Sequence, residues 1–212
     1  MYFSTAERIA KALQATHNFN LLLRLPISTD ESRGILRPPI SGHVTLDNVY
    51  FSYPERRDAS ILKNISLEIA DGECVAVVGA SDSGKSTIAA LLQRLYELDS
   101  GSISIGGFDI RSTDVTHLRE HVAIVGQNPN LLDATISDNI SYGNTILSAS
   151  DIRRAAKAAN VHSFIMSLPQ GYDTMVGENA SLISGGQAQR IQIARALARP
   201  SKIFILDECT SA

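Results

Sequence analysis

A chain of 212 residues, 44% hydrophobic and 19% charged, has the length and composition to bury the core of one sizeable domain with a short appendage. Its formal charge of −3 excludes a grip on nucleic-acid backbone, which needs a basic excess, so any anion must be held by a few placed groups. No window approaches the roughly 18 apolar residues of a membrane span, the N-terminus carries no secretory signal pattern, and Cys74 and Cys209 follow neither a pairing nor a metal-ligand spacing, which fits a reduced, cytosolic setting.

In chain order, residues 4–24 read as a helix: Ser4 and Glu7 have capping-box spacing, and Ile9, Ala10 and Leu13 share a face. Residues 26–40 are polar, hold Pro26, Pro38 and Pro39, and read as a linker, so the compact domain is expected to begin near Ser41. Strands are predicted over His43–Phe51 and Ile65–Ile69, followed by a turn at Asp71-Gly72 and a buried strand over Cys74–Val78. A glycine-bearing loop leads to a helix over Ser86–Leu98. Ser102–Ile105 and the turn at Gly106-Gly107 predict a small antiparallel sheet. Val122–Val125 reads as a buried strand, and 135–168 as helix in several pieces, one opened by Ser148 and Asp151. A helix runs from Gly186 to about Ala198, Pro200 stops it, and Ile203–Leu206 is a last buried strand six residues before the end.

Three segments carry the chemistry. Gly79, Ala80, Ser81, Asp82, Ser83, Gly84, Lys85, Ser86 and Thr87 match G-x-x-x-x-G-K-[ST] between a predicted buried strand and a helix. Wrapping a triphosphate in backbone N–H groups requires glycine where a side chain would collide or φ is positive, and the helix aims its positive end at the anion. Lys85 supplies a cation to the β- and γ-phosphates, and the Ser86 hydroxyl suits Mg²⁺. This motif indicates ATP or GTP without naming the reaction.

The second segment is Ile203–Leu206, an apolar strand that delivers Asp207 and Glu208 at its carboxyl end, where open α/β sheets bind ligands. Asp207 suits Mg²⁺, and Glu208 can orient and deprotonate an attacking water. The third is Leu182, Ile183, Ser184, Gly185, Gly186 and Gln187, a serine-glycine turn that opens a helix and so forms another anion site.

This third segment resembles the LSGGQ signature of ABC ATPases, with Ile183 for the usual leucine. The resemblance implies an α/β fold: a P-loop NTPase core of ABC type, with a small antiparallel β subdomain and a helical subdomain that carries the signature. It also implies that two such domains pair head to tail, so that Ser184, Gly185, Gly186 and Gln187 serve a nucleotide held by the phosphate loop of the partner. Tyr53 resembles the aromatic residue that stacks on adenine, and Gln127 the glutamine that reaches Mg²⁺ and the attacking water in a loop facing the membrane domains. Runs such as Tyr53-Pro54-Glu55-Arg56, Ile61-Leu62-Lys63-Asn64, Thr135-Ile136-Ser137-Asp138-Asn139 and Gly171-Tyr172-Asp173 are similar to multidrug and peptide exporters of the B subfamily, from about Ser41 to Ala212.

On that basis residues 1–25 are the helix that follows a membrane domain, 26–40 the linker and 41–212 the ATP-binding domain. The expected activity is hydrolysis of ATP to ADP and phosphate at the cytoplasmic face of a membrane, in an exporter of drug, lipid or peptide. The expected partners are a second such domain and transmembrane domains, without nucleic acid. Departures from the family are Asp82 in the phosphate loop, Ala180 for a glycine, and Cys209 for an alanine. The family's aspartate-bearing loop, later strands and switch histidine have no counterpart before Ala212, so the isolated chain is expected to be inactive and poorly stable, with an uncovered sheet edge. His117 and His121 stand at i, i+4 spacing and read as an exposed pair rather than metal ligands. Two other readings remain beside this one: an ATP-binding module without turnover, and a soluble non-transport ABC ATPase, whose long coiled-coil insertion is not seen here.

Overall fold

The computed structural model describes Thr16 and residues 34–80, 82–142, 144, 146–177 and 182–207. The predicted N-terminal helix, apart from Thr16, and the linker before Gly34 lie outside the described residues. From Gly34 onward the chain already packs on the domain: Ile35 and Leu36 N–H donate to the Ser112 carbonyl, and Asp114 N–H donates to that of Leu36. Ile40 is buried there.

Strand β1 (Val44–Ser52) lies between β2 (Ser60–Ile69) and β3 (Ser100–Ile105), all antiparallel, with the short β4 (Phe108–Asp109) beyond β3. Val44, Leu46, Val49 and Phe51 of β1 all turn inward although strict alternation would put Val49 on the other face. An irregularity between Leu46 and Val49 makes this work: Asn48 takes φ 47° and resets the pleat. Helix α1 (Lys85–Leu92) and helix α2 (Val115–His121) cover the sheet and share one apolar core with it, centred on Phe51, Leu91, Ile103 and Leu118.

Strands β5 (Val122–Val125) and β6 (Ile203–Leu206) pair in parallel, with Val125 opposite Leu206. Between them in sequence stand α3 (Ile136–Ser141), α4 (Ala149–Ala158), α5 (His162–Ser167) and α6 (Gly185–Ala198). These helices bury a second core around Ile136, Ile140, Ala156, Ile165 and Ile191. The α/β class with an antiparallel sheet and a helical subdomain is as the sequence led us to expect, and the helix expected to open at Ser148 and Asp151 does so with a capping box; Ser184 and Gln187 form a second one that the sequence reading did not include.

Three expectations about these segments fail. Cys74–Val78 forms no strand, and its valines are exposed, Val78 at 87%. An apolar run becomes a buried strand only when neighbours take its backbone hydrogen bonds. Among the described residues no strand lies against it, and β6 likewise leaves Phe204 and Leu206 exposed. Helix α1 also ends at Leu92 rather than Leu98. Arg94 turns the chain at φ 50° and sends its buried guanidinium to the carbonyls of Ile110 and Thr113, at 3.0 and 3.1 Å, and to Glu97. Continuing the helix would pull that group away from carbonyls that have no water to replace it.

The helical subdomain turns on Asn139, which is fully buried. Its amide donates to the carbonyls of Leu132 and Thr135, both at 3.0 Å, and its oxygen accepts from Leu132 N–H and from Arg195, both at 2.8 Å. Arg195 also donates to the carbonyls of Asn139 and Asn130 and lies 4.5 Å from the Tyr142 ring centre. Burial holds the Arg195 guanidinium below its ordinary pKa, a shift that Tyr142 opposes and nearby Arg199 reinforces. Asn139→Leu fills the space but orphans these groups, and is expected to cost about 3 kcal/mol. A lowered urea midpoint with an unchanged slope is the measurement that checks it.

Candidate nucleotide-binding site

The loop before α1 is shaped by Gly84, which sits at φ 90° and caps the helix. A Cβ there would lie 2.7 Å from the Leu62 side chain and 3.1 Å from that of Ile61, so both conformation and space demand glycine. Gly79 is held similarly, since a Cβ would come within 2.7 Å of Ser83 Oγ. Lys85 folds back over the loop, its ammonium donating to the carbonyls of Gly79 at 3.0 Å and Ala80 at 2.7 Å. One of its three protons stays available.

Tyr53, Ile61, Asp82, Ser83, Gly84, Lys85, Ser86 and Thr87 line one cavity of about 270 Å³. This is near the lower end for small-molecule sites, roughly 300 Å³. The structure thus brings Tyr53 to the phosphate loop from 30 residues upstream, across β2. Its hydroxyl lies 3.0 Å from Thr87 Oγ1, and its ring meets Phe51 and Tyr96 edge to face, at 5.0 and 5.1 Å between centres. The ring is therefore fixed in place before any ligand arrives.

Asp82 faces into this cavity, at φ 60° and exposed. A carboxylate there opposes an incoming polyphosphate. Asp82→Asn keeps the left-handed backbone, which asparagine tolerates, and removes the charge. ATP affinity is expected to rise about fivefold, the equivalent of about 1 kcal/mol for one charge near the anion. Titration calorimetry checks it.

At the carboxyl end of the parallel pair, Asp207 N–H donates to the Val125 carbonyl at 2.9 Å. This register sets Asp207 beside the start of the loop that carries Gln127, which is exposed. Gln189, absent from the expected set, fixes that loop from the helical side: its Nε2 donates to the Gly126 carbonyl at 3.1 Å. Among Gln187, Gln189 and Gln192 on the same helix, nothing in the sequence singles Gln189 out. Ser81 and Glu208 lie outside the described residues, as do Ala180 and Cys209.

Neither Gln127, Asp207 nor the signature lines the loop cavity. Ser184 caps α6 with Oγ accepting from Gln187 N–H at 3.3 Å, while Gln187 Oε1 accepts from Ser184 N–H at 2.8 Å. A Cβ on Gly185 or Gly186 would meet nothing within 4 Å, so this chain imposes no steric need for glycine at either position. His117 and His121, expected as an exposed pair, are instead half-buried and have Glu120 beside them. Glu120 was legible in the sequence as the acidic residue of an H-x-x-E-H spacing; the half-burial of the two rings was not.

The ABC transporter family profile matches residues 62–211. The chain is 47% identical over 199 residues to human ATP-binding cassette sub-family B member 5, covering 93% of itself and 16% of that protein. It is 46% identical over 204 residues to the ATP-dependent lipid A-core flippase of Saccharophagus degradans, covering 96% of itself and 34% of that protein. The ATP-bound structure of a bacterial Atm1-family ABC exporter superposes with a TM-score of 0.83 at 41% identity, over 95% of this chain and 35% of that one. The relatives are thus several times longer than the matched region. No described helix is long and apolar enough to cross a membrane. Sequence, fold and the self-cradled phosphate loop agree: this chain belongs to the ABC transporter family, as an ATP-binding domain of the sub-family B exporter type.

Proposed function

We propose that this domain binds and hydrolyses ATP to drive export through transmembrane domains, at the cytoplasmic face of a membrane, as one half of a head-to-tail pair. The observation that carries the reading is the single cavity shared by Tyr53, Lys85, Ser86 and Thr87. In it the adenine is assigned to the Tyr53 side, and the phosphates to the loop of Gly79, Ser81, Ser83, Gly84, Lys85, Ser86 and Thr87. The Ser86 hydroxyl, the Asp207 carboxylate and the Gln127 side-chain oxygen are hard oxygen donors, a set that fits Mg²⁺. When bound, Mg²⁺ neutralises charge on the β- and γ-phosphates.

Lys85 supplies a fixed positive charge for the developing negative charge, Gln127 orients the water, and Glu208 accepts its proton as ADP and phosphate separate. Ser184, Gly185, Gly186 and Gln187 address the nucleotide of the partner domain. Two features support that assignment: they stand apart from their own chain's cavity, and their glycines leave open space. The cargo is assigned only as a drug, lipid or peptide; the names of a multidrug resistance protein of Caenorhabditis elegans and of the lipid A-core flippase support the first two.

The test is an ATP titration of the purified chain supplied with a complete counterpart domain. Binding that strengthens on adding Mg²⁺ is the expected result. Affinity indifferent to Mg²⁺, or none, defeats the proposal.

A further inference from the structure

We infer that His117, Glu120 and His121 form a transition-metal site on α2, separate from the nucleotide cavity. The three follow an H-x-x-E-H spacing on one short helix, and one ligand atom from each lies within 4.8 Å of the others. The imidazoles stand one turn apart with ring centres 4.6 Å from each other. Donors around a tetrahedral metal at about 2.1 Å lie roughly 3.4 Å apart, so a small rotation of the exposed Glu120 and of the rings closes the set.

What distinguishes this cluster from a chance grouping is the outer bond of each imidazole. His117 Nε2 lies 2.8 Å from the Pro38 carbonyl, and His121 Nδ1 lies 2.8 Å from the His117 carbonyl. A carbonyl only accepts, so each of these nitrogens carries its proton. The lone pairs left over are on Nδ1 of His117 and Nε2 of His121. Each ring is thus oriented by a backbone carbonyl on its outer nitrogen, the arrangement that outer-shell partners impose on metal-ligating histidines.

The donor set of two imidazole nitrogens and one carboxylate selects Zn²⁺ or a neighbouring transition ion over Mg²⁺ or Ca²⁺, which take oxygen. Competing charge is held elsewhere: the Arg119 guanidinium donates to the carbonyls of Gln93 and Arg94. Glu120 and His121 sit on the last turn of α2, whose carbonyl end favours a cation, and His117 stands one turn earlier. Through Pro38 it also reaches the segment that leads into the domain, so an ion there would fasten residues 34–40 to α2.

The test is equilibrium titration of the 212-residue chain with Zn²⁺ alone, without nucleotide, in a Cys74→Ser background because that thiol is exposed. His117→Ala and His121→Ala are each expected to weaken Zn²⁺ binding at least tenfold, and His43→Ala to leave it unchanged. A readout on the unsubstituted rings guards against a variant that misfolds: in a long-range ¹H–¹⁵N spectrum, Zn²⁺ should move the His117 Nδ1 and His121 Nε2 signals together while His43 and His162 stay in place. Equal Zn²⁺ affinity in the parent and both variants, or no selective movement of those two rings, overturns the inference.

Discussion

Lys85→Ala is expected to weaken ATP binding about 30- to 150-fold and to bring hydrolysis in the paired domain down to background. The ammonium is already directed over the loop by the carbonyls of Gly79 and Ala80, so little ordering remains when phosphate arrives. Hydrogen bonds to charged groups contribute about 1.5–3 kcal/mol each, and the binding loss corresponds to about 2–3 kcal/mol at 1.4 kcal/mol per tenfold. Lys85→Arg is not expected to rescue, because a planar guanidinium fork does not reproduce the compact ammonium that the Gly79 and Ala80 carbonyls hold. Nucleotide titration and phosphate release measure the two effects separately. An alanine variant with unchanged affinity shows that the ammonium stays with the loop carbonyls and never meets the nucleotide.

Glu208→Gln carries the second large effect. Amide for carboxylate keeps shape and much of the hydrogen bonding but removes the base, so phosphate release by the paired complex is expected to fall about 10²- to 10⁴-fold. ATP affinity should hold or rise slightly, because a negative charge near the γ-phosphate disappears. The comparison also separates turnover from mere binding. Equal, slow release by both proteins would assign the chain to the class that holds ATP without cleaving it.

What the sequence disclosed depended on how local each feature is. The phosphate loop, the helix start at Ser148 and Asp151 and the strands Val122–Val125 and Ile203–Leu206 are written in residues a few positions apart, and the structure shows each element where the pattern put it, although Ile203–Leu206 is not the buried strand expected. Cys74–Val78 has an equally apolar run yet forms no strand, because strand formation is decided by neighbours distant in sequence. Arg94 and Arg195 were silent for the same reason: they reach carbonyls 16 to 65 residues away, and no spacing rule points to a carbonyl. Asn139 was silent although its backbone partners, at Leu132 and Thr135, are only seven and four residues away, because they too are carbonyl and N–H groups that no residue type marks. Within the candidate site, Tyr53 and the loop are joined in one cavity. The signature and the acidic strand end stay apart from that cavity in this single chain, and a sequence motif carries no information about that separation.

The reciprocal bonds of Ser184 and Gln187 have a thermodynamic consequence. Because Ser184 Oγ accepts from Gln187, its own proton is uncommitted, and the N–H groups of Gly185 and Gly186, in the first turn, have no intrahelical acceptor. The donor array is therefore assembled in the lone chain. In the proposed head-to-tail pair, its association with the partner's nucleotide should proceed as a rigid-body encounter, with no heat-capacity change of the size that accompanies coupled folding.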